Sequence, residues 1–180
     1  MQIDIEKNKQ DIISLLEGVD RKGMGALVEW LKLTDFFTAP ASSKFHLAVK
    51  GGLAQHSLSV FKTFQTLVNT FWKGIPITHE SQVIVALLHD VCKIDIYLWS
   101  DSQQKYIHDD TFPIGHGEKS VILIQNFIAL SDLEVAMIRW HMGPYDSEYN
   151  RGENFIVKKF PETKLLYFAD DISTQYLEKE

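Results

Sequence analysis

The pair His89-Asp90 closes the longest apolar run of the chain, Val83-Ile84-Val85-Ala86-Leu87-Leu88, and is followed by Val91-Cys92-Lys93. An imidazole and a carboxylate at the end of a segment this apolar must be neutralised, because unpaired buried charge costs several kcal/mol. A divalent metal does so. Taken alone, such a pair is more commonly a core histidine satisfied by its neighbour. Here it has company: His56 upstream in Gly51-Gly52-Leu53-Ala54-Gln55-His56-Ser57, and Asp170 downstream in Leu165-Leu166-Tyr167-Phe168-Ala169-Asp170-Asp171. Imidazole mixed with carboxylate suits Mn, Fe, Ni, Co or Zn, whereas Mg prefers an oxygen-rich octahedral shell.

The order His56, His89-Asp90, Asp170 resembles the HD superfamily of metal-dependent phosphohydrolases. His116 in Ile114-Gly115-His116-Gly117-Glu118-Lys119-Ser120 and His141 in Ile138-Arg139-Trp140-His141-Met142-Gly143 fall between the second and last motifs. HD proteins that bind two metals place two extra histidines in that interval. The resemblance spans about Phe36 to Ser173 and implies an all-α fold, an HD-domain helical bundle. It also implies one or two divalent metal ions. A single ion would take His56, His89, Asp90 and Asp170; with two, Asp90 bridges and His116 and His141 join the second. Asp171 is the alternative to Asp170, although Ala169-Asp170 is the local form that the family's last motif resembles.

The activity implied is hydrolysis of a phosphate ester, monoester or diester, of a nucleotide or short oligonucleotide, by attack of a metal-activated hydroxide on phosphorus. Asp90 and Lys93 are the catalytic candidates. Lys93 matches a lysine that follows His-Asp in several phosphodiesterase branches and holds substrate phosphate there; a surface lysine near a helix C-terminus is the plainer reading. His46 and Arg139 are further substrate-binding candidates, although Arg139, two residues before His141, reads better as a structural or supporting neighbour of that ligand. Glu118 is placed to orient the His116 ring, or simply to favour its helix dipole. Trp99, Tyr145 and Tyr149 fall in loops and are candidates to line a substrate pocket.

Cys92 stands where a glycine is common before the lysine, and the Gly-Tyr-Pro motif of the cyclic-dinucleotide branch is absent; both point away from that branch. The segment Asp35-Phe36-Phe37-Thr38-Ala39-Pro40-Ala41-Ser42, followed by His46 and the double glycine, resembles the start of the HD domain in some bacterial 3'-to-5' exoribonucleases and small phage or bacterial HD proteins. Two alternatives follow. One is a catalytically weak nucleotide-binding sensor; the other is an exonuclease-like activity on single strands. An oxygenase branch of the superfamily uses mixed-valent iron at a similar ligand set.

The elements that must position these residues read as helices nearly throughout. Apolar spacing predicts helices from Ile5 to Leu16 and from about Lys22 to Leu33, a buttress of residues 1–34 on a core of residues 35–180. A third helix starts after Gly51-Gly52 and runs to about Trp72, with His56 in its second turn. Thr78 caps a fourth, from His79 to Lys93. Tyr97, Trp99, Tyr106 and Ile107 flank a polar Ser100–Gln104 turn, predicting a short β-hairpin or an irregular excursion near residues 96–110. A helix from Gly117 to Ala129 follows, and Ser131-Asp132-Leu133-Glu134 is a capping box opening the helix that reaches His141. After a polar loop with Tyr149, Arg151 and Gly152, the last helix starts at Pro161 or Glu162.

The 180 residues, 45% of them hydrophobic, suffice for one domain with a sizeable core. A single cysteine excludes an internal disulfide framework, and the first residues lack a signal-peptide pattern, so the expected compartment is cytoplasmic. No apolar run approaches the ~20 residues that span a bilayer. A net charge of −6 argues against coating long duplex nucleic acid but admits a small or single-stranded phosphate substrate. Oligomeric state is not legible.

Overall fold

Asp4 starts the first helix, α1 (Ile5–Glu17), by accepting the Lys7 N–H at 3.0 Å. Positions four apart, Asn8, Ile12 and Leu16, turn to the interior. Helix α2 (Met24–Leu33) buries Met24, Leu27, Val28 and Leu31 by the same spacing. The computed structural model describes residues 3–109, 114–146, 155–156 and 158–179. The loop positions Tyr149, Arg151 and Gly152 lie outside the described residues.

The scaffold is mainly α. Helix α3 (Gly52–Phe71) runs through its centre and packs on α1, on α4 (His79–Leu88) and on α7 (Thr163–Ile172). Helices α5 (His116–Gln125) and α6 (Asp132–Arg139) pair with each other, and α6 also meets α4 and α7. Strands β1 (Tyr97–Ser100) and β2 (Lys105–His108) form the expected hairpin, antiparallel with Tyr97 opposite His108 and Ser100 opposite Lys105. One hydrophobic cluster joins α1 and α2 to the rest, with Ile12, Leu27, Phe36, Phe64, Ile84, Leu87 and Leu88 fully buried. Each such side chain contributes about 1.5–3 kcal/mol. Among the described residues no helix is long and apolar enough to cross a membrane.

Three expected boundaries move. The α4 helix ends at Leu88, not Lys93: Asp90 has φ −106° and ψ 18°, outside the helical well, and Val91–Lys93 form a separate 3₁₀ turn. Helix α5 ends at Gln125 instead of Ala129, as the Phe127 ring turns to stack on Trp30 at 5.0 Å. Helix α6 stops at Arg139, two residues before His141. The first and third breaks leave a histidine at the end of a helix.

Loop 35–51 is anchored to the start of α3 through its backbone. Gly51 N–H donates to the Thr38 carbonyl at 2.9 Å, Leu53 N–H to Ala39 at 3.0 Å, and Ala41 N–H to Leu47 at 3.1 Å. Gly51 has φ +82°, and a Cβ on Gly52 would overlap the Leu47 carbonyl, so the double glycine is what lets the loop lie this close to the helix. Leu47 takes φ +43°, a strained value for a branched residue, directly after His46.

Glu134 is a second organising point. The Ser131 capping box forms as expected, but the Glu134 carboxylate also accepts from Arg21 at 2.7 Å and Ser81 at 2.8 Å, tying α6 to α4 and to the α1–α2 connection. Burial alone would raise this carboxyl, yet Arg21, the Ser131 N–H and Ser81 hold it below its ordinary value of 4.5. Its stabilisation is complete above that value and is lost as pH falls through the lowered folded-state value. Glu134→Gln is expected to lower unfolding free energy near pH 7 by about 2–3 kcal/mol. Denaturant titrations of parent and variant check this: the gap should close in acid, and a gap independent of pH would refute an ionic origin.

Candidate metal centre

Helix ends and one loop deliver the predicted residues to a single place. His56 comes from the second turn of α3, His89 from the C-terminal end of α4, Asp90 from the break that follows, His141 from beyond α6, and Asp170 from α7. His56, His89 and His141 are completely buried, and Asp90 is 3% exposed. Rings of His56 and His89 lie 5.3 Å apart, and those of His89 and His141 4.9 Å apart.

Each imidazole is held from behind by its Nδ1. That of His89 faces the Ala86 carbonyl at 2.8 Å, that of His141 the Ile138 carbonyl at 2.7 Å, and that of His56 the Glu178 carboxylate at 2.9 and 3.2 Å. An acceptor at Nδ1 places the proton there and turns the Nε2 lone pair inward. The Nε2 atoms of His56 and His89 come within 3.3 Å of each other. Around them stand Asp170 Oδ1, 3.2 Å from His56 Nε2, and Asp90 Oδ2, 3.7 Å from His56 Nε2 and 3.5 Å from His89 Nε2. His141 Nε2 lies 3.4 Å from Asp90 Oδ1 without hydrogen-bond alignment, a buried nitrogen with no hydrogen-bond partner among the described residues. Two facing lone pairs and an orphaned nitrogen among carboxylate oxygens fit a cation.

The groups His56–His89–Asp90 and His89–His141–Asp170 each converge closely enough to hold a metal ion. Asp171 lines the adjoining pocket but joins neither group, which favours Asp170 as the ligand. His141 belongs with His89 and Asp170, whereas His116 groups with Asp90 and Cys92. The two histidines expected to share a second ion are thus divided between two groups. Cys92, expected only as a substitute for glycine, is a missed neighbour of that second position; burial, then Asp90, pushes its thiol up to about 12, so it is a neutral thiol.

Charge is unbalanced in the same sense. Asp90, Asp170 and Glu178 supply three carboxylates, and Lys93 answers with one ammonium, Nζ to Asp90 Oδ2 at 2.6 Å. With neutral imidazoles the carboxylates outnumber the ammonium, an excess of negative charge that favours a cation. Burial would raise the Asp90 carboxyl, but Lys93, His89 and His141 hold it well below the usual carboxylate range. Asp170 is held down against burial in the same way by His56 and then His89. Burial pushes the His56 pKa down, but Glu178 and Asp170 outweigh it and carry the value up to about 10. Asp170, which raises the His56 pKa from the Nε2 side, equally draws a cation toward that nitrogen.

The remaining candidates separate. Lys93 and His46 line a pocket of about 500 Å³ that has Asp90, His116 and Asp170 in its wall. His46 stacks obliquely near His56 at 4.8 Å, and burial, then His56 and Lys93, lower its pKa to about 4, so it is neutral. Arg139 does not line that pocket. It is paired with Glu118 and Asp146 and lies over the Trp140 ring at 4.0 Å. Glu118 therefore binds Arg139, and the His116 Nδ1 has no hydrogen-bond partner among the described residues. Tyr145 lines the pocket, and Trp99 faces a neighbouring groove.

Glu178 is the residue the motifs do not reveal. It lies in a polar Glu-Lys-Glu run that reads as a solvated helix end, yet it is 3% exposed and bonded to His56. No protein-family model, curated protein or solved structure matches this chain.

Asp90→Ala and His89→Ala are each expected to remove most bound metal while the helical far-UV signature survives. Elemental analysis after purification without chelator or nickel column, alongside circular dichroism, checks this; full metal content in both variants would reject the centre.

Proposed function

We propose that this chain is a phosphohydrolase of the HD kind, acting through bound divalent metal on a phosphate ester of a nucleotide or short oligonucleotide. One observation carries the proposal: Asp90 and Asp170, which converge with the buried imidazoles of His56, His89 and His141, also line a pocket that contains His116 and the buried Lys93. A divalent cation bound there supplies Lewis acidity toward a phosphoryl oxygen and makes water nucleophilic near neutral pH.

The chain's own groups divide the rest of the work. Burial opposes the charge on Lys93, but Asp90 outweighs it and keeps the ammonium protonated, so that it offers N–H donors to an incoming phosphate. Neutral His46 lines the same pocket, with its Nε2 buried 4.0 Å from Glu178 Oε2, so the rest of its ring is what faces substrate. Phe45, Tyr145 and Tyr167 give the pocket apolar walls suited to a nucleoside. Metal-loaded protein should hydrolyse p-nitrophenyl phosphate or its bis ester with Mn. Lys93→Met should lower kcat/KM by about 100-fold or more with metal content unchanged. Absence of turnover with tight, metal-dependent nucleotide binding would instead favour a sensor.

A specific feature favours an oligonucleotide over a mononucleotide. Near the pocket lies a groove of about 640 Å³ lined by Lys44, Lys50, Lys105, Trp99 and Tyr106, with no carboxylate among the described residues of its lining. Lys44 of this groove lies over the Phe45 ring at 5.2 Å, and Phe45 lines the metal pocket, so one residue contact links the two. Cations interleaved with aromatic rings suit a single strand. Reversing Lys44, Lys50 and Lys105 to Glu should raise KM for a short single-stranded oligonucleotide about tenfold or more at low salt, and leave p-nitrophenyl phosphate turnover unchanged. An equal effect on both substrates would refute the groove's role.

A further inference from the structure

Glu178 lies eight residues beyond Asp170, yet the two carboxylates flank the same imidazole. Asp170 Oδ1 is 3.2 Å from His56 Nε2, and Glu178 Oε2 is 2.9 Å from His56 Nδ1. On a regular α-helix, eight residues advance about 12 Å and turn the side chain about 80° away from the starting face. The backbone does not continue regularly. After Ile172 it widens into one π turn, Ser173–Leu177, closed where the Glu178 N–H donates to the Ser173 carbonyl at 3.0 Å. Single π turns of this kind gather at functional sites.

The turn is fastened to the helix that carries His56. Ser173 is fully buried, and its hydroxyl lies 3.3 Å from that of Thr63, two turns beyond His56 on α3. His46 covers the other side of the carboxylate, its Nε2 4.0 Å from Glu178 Oε2. Glu178 is thus a buried carboxylate directed at one ring nitrogen by three separate elements: the π turn, α3 and the loop before it.

We infer that Glu178 is a positioning residue of the metal centre: by accepting the His56 Nδ1–H it locks the tautomer and ring angle that present Nε2 to the ion. His89 and His141 obtain the same service from main-chain carbonyls of their own helices. His56, near the start of α3, obtains it from a side chain 122 positions away. This inference rests on the metal reading of the site and is independent of whether the protein hydrolyses anything.

The test uses the full chain, with Zn(II) affinity measured by chelator competition in the parent, Glu178→Gln and Glu178→Met. Gln keeps an acceptor oxygen, whereas Met keeps the volume without one. Zn(II) binding should weaken about 10–100-fold in Glu178→Met and stay within about threefold of the parent in Glu178→Gln. Long-range ¹⁵N–¹H spectra of the zinc-loaded proteins should show a protonated His56 Nδ1 in the parent and in Glu178→Gln. Met binding zinc as tightly as the parent, or Gln falling as far as Met, overturns the inference while leaving the metal centre intact. A parent that binds no zinc overturns both.

Discussion

Two imidazole nitrogens 3.3 Å apart, walled by carboxylates and sealed from water, are the constraint on which the structure turns. Lone pairs at that distance repel unless positive charge lies between them. The rest of the molecule can be read as apparatus for holding them there. Helices α3 and α4 supply one ring each and pack closely along their length. The apolar stretch Val83–Leu88 is fully buried, so His89 cannot turn away without exposing that stretch.

The scaffold puts its chemistry where regular structure stops. Asp90 leaves the helical conformation directly after His89, His141 follows the end of α6, and Glu178 follows a π turn. Helix ends free backbone carbonyls and change side-chain direction by more than the 100° step of a continuous helix allows. The freed carbonyls of Ala86 and Ile138 are the groups that orient two of the rings. Breaks that shorten helices thus also prepare the site.

Two buried polar clusters follow opposite logic. At Glu134 every charge finds its partner within the chain, through Arg21, Ser81 and Ser131, and the result is a clasp between elements. At the histidine cluster the carboxylates exceed the ammonium groups, and nitrogens of His116 and His141 have no hydrogen-bond partner among the described residues. A self-satisfied network stabilises a fold, whereas an unsatisfied one is arranged for something outside it. Arg139 belongs to the first kind: its two carboxylate partners and the Trp140 ring fully engage it.

Local signals made much of this legible. Caps at Asp4, Thr78 and Ser131 and apolar spacing of three and four marked the helices, and aromatic residues around a polar turn marked the hairpin. The order of His56, His89, Asp90, His141 and Asp170 marked the residues that come together. The caps, spacings and turn act between positions a few residues apart and survive in any packing, whereas the order of the ligand candidates spans most of the chain and was legible only as a resemblance to a known family. What only the tertiary structure decided is the partnering of groups distant along the chain. Glu178 on His56, Arg139 between Glu118 and Asp146, and the grouping of Cys92 with His116 depend on how α3, α7 and the loops pack, which no local spacing encodes. The same holds for the helix breaks at Asp90 and after Ile172. Residues compatible with a helix leave it there because packing around a buried ring or carboxylate outweighs one lost turn of backbone hydrogen bonds, and that balance exists only once the neighbours are in place.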